Sequence, residues 1–341
     1  MATLAGVSEV TVSRVFSQNG YVSREKQESV NRAAEQLGYK PNPIAVSFKK
    51  NSTKQILMLF PEQDLENLYF ISLYKGAISF AEKAGYLLAI STDMMFSKIS
   101  KKMFDGVILA NSSFSPEELR ENLRVPAAVL GFGEERYYPW LDYVVVDTGL
   151  AMEMAINNLF SHGHRRIGLA MPRHTLMIGA SSQRHLRYLS MLRQVFGERV
   201  QDYVFGIDPN DKEESLTNYY HYGRVAAEQI CATKPDITAV VCFNDEVALG
   251  LMGRLQNLGV SIPGDISVAG IDDILQSKYS VPSLTTVRLP AVEQGIESVR
   301  RLINRIEGNE PLEKATFSLE IVPRESIRTL GSLTSAVEVF K

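Results

Sequence analysis

The sequence predicts a small all-α head joined by a hinge to an α/β body built on parallel sheets. Three observations predict this. Residues 1–40 carry helix starts, helix stops and apolar residues at helical spacing. From Lys54 onward, short runs of Val, Ile and Leu alternate with amphipathic stretches, which argues for parallel sheets covered on both faces. Charge divides along the same line. The 341 residues carry a net charge of −3, yet the first 54 hold eight basic side chains (Arg14, Arg24, Lys26, Arg32, Lys40, Lys49, Lys50, Lys54) against four acids (Glu9, Glu25, Glu28, Glu35). That leaves +4 on the head and −7 on the remainder, the distribution of a basic nucleic-acid module on an acidic body.

In the head, Gly6-Val7-Ser8 ends one short helix and begins another. Glycine closes a helix in the left-handed conformation, and a serine hydroxyl caps the next. Val12, Val15 and Phe16 then recur at i, i+3, i+4 and face inward, while Glu9, Val10, Ser13 and Arg14 occupy the outer face. A third helix, capped by Ser23, carries Val30, Ala33, Ala34 and Leu37 and stops at Gly38. Two helices joined by a glycine turn, the second short with a polar outer face, form the helix-turn-helix pattern. In the hinge, Asn42-Pro43 is a good helix start, and Ile44 to Phe48 supply little more than one turn before Lys49-Lys50-Asn51. So short a helix needs a partner to form.

The body yields strands at Ile56–Phe60, Leu87–Ser91, Gly106–Ala110, Ala127–Leu130 and Val144–Val146, with helices at Leu73–Ala84 and Pro116–Leu123. A second series has strands at Ile167–Ala170, Tyr203–Phe205, Ala239–Phe243 and Ser267–Ala269, with helices at Met152–Phe160, His185–Val195, Arg224–Ala232 and Val247–Leu258. Two such series imply two similar Rossmann-like lobes. Ligands of open α/β sheets sit beyond the carboxyl ends of strands. Asp147, Asn244, Asp245, Asp272 and Asp273 directly follow strands, although each is also a good helix N-cap. Tyr69 and Phe70 precede the first lobe's opening helix, where they either stack on a ligand ring or pack at the helix start. Trp140 in the YYPWLDY loop is another aromatic candidate.

The run G-V-S-x-x-T-V-S-R-V from Gly6, followed by LGYKPNPIAVSF from Leu37, resembles the LacI/GalR family of bacterial transcription regulators, and the resemblance continues through most of the chain. It implies a periplasmic-binding-protein-like sensor in which the chain crosses between lobes three times, near Thr148, Leu289 and Phe317. The expected division is a head over 1–40, a hinge over 41–53, lobe 1 over 54–147 and 290–316, lobe 2 over 148–288 and 317–330, and a tail over 331–341. The resemblance implies that Ser8, Glu9, Val10, Thr11, Ser13, Arg14 and Asn42 meet operator DNA. Phe48 stands where the family more usually has a leucine wedge for the minor groove; its other reading is packing against the sensor. The resemblance also assigns Arg184 as an effector-gripping arginine and favours ligand contact for Asn244 and Asp272. A carbohydrate effector suits these groups, because each hydroxyl both donates and accepts hydrogen bonds. A homodimer on a pseudo-palindromic operator is implied.

Other functions find no support. Gly131-Phe132-Gly133 has neither a third glycine nor a following helix, so a dinucleotide site is not expected. No P-loop, nucleophile elbow or HExxH occurs, and neither a catalytic activity nor a cofactor is expected. His162 and His164 lack the neighbours of a zinc site. No run reaches the ~18 apolar residues needed to span a bilayer. Cys231 and Cys242 read as free thiols in a cytoplasmic protein. The family has about two turns of helix before Gly-Val-Ser where this chain has Met1 to Ala5. The alternative is therefore a cytoplasmic sugar-binding receptor without effective DNA binding.

Overall fold

The computed structural model describes residues 1–17, 20–39, 52–62, 67–99, 103–110, 121, 125–132, 141–172, 179–206, 219–309, 315 and 317–331. The hinge positions Asn42 and Phe48, Trp140, most of the expected helix at 116–123 and nearly all of the tail lie outside these residues.

The head is three helices: α1 (Ala2–Ala5), α2 (Glu9–Ser17) and α3 (Arg24–Gln36). Gly6 closes α1 at φ 67°, and Ser8 Oγ accepts the backbone N–H of Thr11 at 3.2 Å, opening α2. Ser23 occupies the N-cap position of α3 in extended backbone, but its side chain makes no cap bond, contrary to the expectation for it. Gly38, at φ 58°, turns the chain beyond α3 so that Tyr39 N–H reaches Ala34 O at 2.9 Å. Ala5, Val30 and Ala33 form the small core, with Val12, Val15 and Phe16 packed on it.

Five parallel strands make the first sheet: β1 (Gln55–Phe60), β2 (Leu87–Thr92), β3 (Gly106–Ala110), β4 (Ala127–Phe132) and β5 (Asp142–Val146), in the order β2-β1-β3-β4-β5. The helix α4 (Leu68–Lys83) starts five residues before its sequence-predicted position. Asn67 Oδ1 accepts Tyr69 N–H at 2.9 Å and opens the helix there. Tyr69 and Phe70 thus lie inside its first turn rather than ahead of it.

The chain then builds a second sheet. Its elements are α5 (Thr148–Ser161), β6 (Ile167–Ala170), α6 (Gly179–Phe196), β7 (Val204–Phe205), α7 (Tyr219–Thr233), β8 (Ala239–Cys242), α8 (Asp245–Asn257), β9 (Ser267–Asp272), α9 (Leu275–Tyr279) and β10 (Thr285–Arg288). Helix α10 (Ala291–Ile306) returns to the first sheet, packing on α4, β3, β4 and β5. Strand β11 (Glu320–Val322) comes back to pair antiparallel with β10. The strand order is β11-β10-β9-β8-β6-β7, so the expectation of parallel sheets holds except at this edge. Returning from the far side, β11 runs against its neighbour.

Two helix pairs cross at near backbone contact. A Cβ on Gly295 would lie 2.1 Å from Leu73 O, and one on Gly76 the same distance from Val292 O, so α4 and α10 meet through glycine. Gly223 and Gly250 serve α7 and α8 in the same way.

Candidate functional site

The second sheet reverses its strand order between β6 and β8, the topological switch point at which open α/β sheets take ligands. Arg184 follows β6, Asn244 follows β8 and Asp272 ends β9, so three distant sequence segments converge there. Arg184 is only 5% exposed. It donates to the carbonyl of Phe243, stands 3.5 Å from Asp272 Oδ1, and lies with its guanidinium 4.6 Å from the centre of the Phe243 ring. Tyr219 lies nearly parallel to that ring at 5.9 Å.

Asp272 and Asp273 both hold positive φ, 129° and 59°. Non-glycine residues are rarely found there, and such strain concentrates at functional sites. Burial pushes the Asp272 carboxyl well above the usual carboxylate range; Arg184 opposes the shift, while Asp245 and Glu246 add to it. Tyr69 comes from the opposite sheet. It is buried in the first turn of α4, and its hydroxyl donates to Gln294 Oε1 at 2.6 Å. Burial holds its proton far above the ordinary tyrosine value; Asp272 raises it further, and Arg184 works against this. The residues from the two sheets therefore share one electrostatic environment.

Asn244 is 1% exposed and caps α8, its Oδ1 accepting Val247 N–H at 2.9 Å. Asp245 is fully buried and accepts from Ile274 N–H at 3.0 Å, Ser277 Oγ at 2.7 Å and Thr286 Oγ1 at 2.6 Å. Its Oδ1 would lie 2.1 Å from a Cβ at Gly270, so only glycine leaves room for it. Burial raises its carboxyl to about 6 despite these donors. Asp147 is exposed and caps α5 through Leu150 N–H at 2.8 Å, the helix-capping role the sequence also allowed. Phe70 packs edge-on against Phe60 at 5.2 Å in the hydrophobic core, the packing role the sequence also allowed.

Sequence reasoning missed Phe243, Tyr219 and Glu246 as members of this cluster. Glu246 follows Asn244-Asp245, so it could have been weighed with them; Tyr219 carries no local signal that it meets Phe243. His162 Nδ1 pairs with Asn158 O at 2.8 Å, and His164 pairs with Thr238 Oγ1 and Arg328 O. Among the described residues no group of His, Cys, Asp and Glu is arranged to hold a metal ion, and no helix is long and apolar enough to cross a membrane.

On the head, Ser8 just ahead of α2 and Glu9, Val10 and Arg14 on it are exposed, Val10 to 60%, while Thr11 and Ser13 are half-buried. An exposed valine beside an exposed acid and arginine is a surface that can meet base edges and phosphates.

Comparison with known proteins gives the same two-part division. Residues 1–42 match the family model "Bacterial regulatory proteins, lacI family", and residues 156–327 match "Periplasmic binding protein-like domain". The HTH-type transcriptional repressor PurR of Vibrio atlanticus (strain LGP32) is 33% identical over 345 residues, covering 97% of this chain and 98% of the relative. The protein of the same name from Vibrio campbellii (strain ATCC BAA-1116) is 32% identical, with the same coverage. Among solved structures, the transcriptional regulator CelR–cellobiose complex is 25% identical with a TM-score of 0.67, covering 95% of this chain and 98% of that one. The lac repressor dimer bound to operator and the anti-inducer ONPF, at 23% identity, has a TM-score of 0.75 and covers 96% and 97%; it supports the fold alone. One-third identity along nearly the whole of both chains, with a matching DNA-binding head, shows that the chain belongs to the lacI family of bacterial regulatory proteins, DNA-binding regulators of transcription.

Proposed function

We propose that this protein is a repressor whose hold on operator DNA is set by a small carbohydrate effector gripped by Arg184, Asp272 and Tyr69, with Asn244 beside them. The observation that carries this reading is the Arg184–Asp272 contact, buried at the strand ends of one sheet and electrostatically joined to Tyr69 of the other. A guanidinium and a carboxyl side by side offer a hydroxylated ring donors and acceptors together. Two copies place the outer faces of α2, with Glu9, Val10 and Arg14, in successive major grooves; Asn42 and Phe48 of the hinge then meet the minor groove. Effector closing the two lobes changes that spacing, and reciprocity requires operator to alter effector affinity by the same factor. The protein acts in the cytoplasm as a regulator rather than an enzyme, in keeping with its relatives.

The domain division supporting this mechanism is head 1–40, hinge 41–53, lobe 1 at 54–147 and 290–316, and lobe 2 at 148–288 and 317–330. The packing of α10 on the first sheet supports that assignment.

A purine base is the second reading, favoured by the PurR relatives and by the parallel Tyr219–Phe243 rings beside Arg184. A gel shift on DNA flanking the gene, repeated with sugars and with purine bases, tests both. Binding unaffected by either set sinks the effector reading; no shift at all removes the repressor.

A further inference from the structure

Three carboxyl groups, Asp245, Glu246 and Asp272, lie within electrostatic reach of one another at the ends of β8 and β9. Facing them are the Arg184 guanidinium at Asp272, and the phenols of Tyr69 at Asp272 and of Tyr220 at Asp245 and Glu246. The three carboxyls are served unequally. Asp245 has its three donors, and Asp272 has Arg184. Glu246 is 5% exposed and accepts from the backbone N–H of Leu68, the first residue of α4 on the opposite sheet. Its Oε2 is buried and has no hydrogen-bond partner.

A buried polar atom left unsatisfied is destabilising, more so when charged. Such atoms are few in native proteins, and each calls for an explanation. This one lies between two lobes, beside the pair that grips the effector. We propose that Glu246 Oε2 receives a nitrogen-borne hydrogen of the effector, so that the site selects a ligand carrying an amine. The inference rests on the reading of this cleft as the effector site. Nitrogen is favoured over hydroxyl by the charge balance. Carboxyl groups outnumber the guanidinium and burial pushes Glu246 up to about 7; an ammonium brings the positive charge that holds this carboxylate ionised, which a hydroxyl does not. Because the Glu246 carboxyl also meets the backbone of Leu68, a ligand held by Oε2 joins the sensor's two sheets through one side chain.

Two sources share this chemistry, an amino sugar and a purine base. Calorimetric titration of the full chain against matched pairs separates them: D-glucose with D-glucosamine, D-galactose with D-galactosamine, hypoxanthine with guanine. The amine-bearing member of one pair should bind at least tenfold tighter than its partner. Glu246→Gln, which puts an amide N–H₂ where the free oxygen stood, should erase that advantage. The wild-type comparison needs no variant, so a folding defect in Glu246→Gln leaves the inference testable. Equal affinity within every pair, no binding by any pair, or an advantage that survives Glu246→Gln in folded protein overturns it. If neutral sugars bind and shift operator affinity, the carbohydrate-effector reading stands while this inference falls.

Discussion

Replacing Arg184 with alanine tests the chemistry of the cleft directly. The substitution removes the donor to Phe243 O, the contact with Asp272 and the cation over the Phe243 ring. These losses overlap and do not add. Breaking a buried ion pair costs about 3–5 kcal/mol when a charge is stranded, and a desolvated cation–π contact about 2 kcal/mol. Asp272 has an escape, because burial already pushes its carboxyl up and it can take a proton instead of remaining charged. The expected loss at pH 8 is therefore near the low end, about 3 kcal/mol. It should shrink as the pH falls and Asp272 is neutralised. Urea unfolding from pH 8 downward, with Asp272→Asn and the double variant completing a cycle, measures it. Operator binding should survive in folded protein while the effector response is lost. A coupling energy below about 0.5 kcal/mol between the two sites would place them in the additive regime and refute the pairing.

Other expectations follow from particular contacts. Asp105 accepts from Ser52 Oγ at 2.5 Å, Thr53 N–H at 2.6 Å, Thr53 Oγ1 at 2.8 Å and Lys54 N–H at 2.9 Å, fixing the chain just beyond the hinge. Asp105→Ala should reduce the effector-induced change in operator Kd by roughly fivefold, about 1 kcal/mol of coupling, while each ligand still binds alone. Gly295→Ala forces α4 and α10 apart and should cost about 2 kcal/mol or more, visible as a lowered Tm. The Asp245 carboxyl rises from 3.8 to about 6 on folding, so the folded state holds a proton that the unfolded chain releases. Stability should therefore fall by about 3 kcal/mol as the pH rises from 4 to 7, and Asp245→Asn should flatten that part of the urea-midpoint profile. On the head, Arg14→Ala should reduce the salt slope of operator binding by about 1, whereas Val10→Ala should change base preference at one position.

Much of this protein was legible from local pattern. Gly106–Ala110 and Ile167–Ala170 are strands with the limits their apolar runs predict, and Gly6 closes its helix as glycine allows. These features depend on neighbours within a few residues, and so does the family resemblance of the head. Asn67 was a local signal passed over, and α4 starts there because of it. Other features had no local trace. Ser23 has the right residue type for a cap and makes no cap bond; β11 runs antiparallel because of the path that brings it back. Asp147 and Asp272 both follow strands, yet one caps a helix in solvent and the other lies buried beside Arg184. Local residue pattern was enough for the class of protein and for the residue types available to its cleft. Which carboxyls are buried, which face Arg184 and which oxygen is left without a donor were decided only by tertiary packing. Desolvation of a group depends on the segments that cover it, and here Leu68 and Glu246 come from opposite sheets.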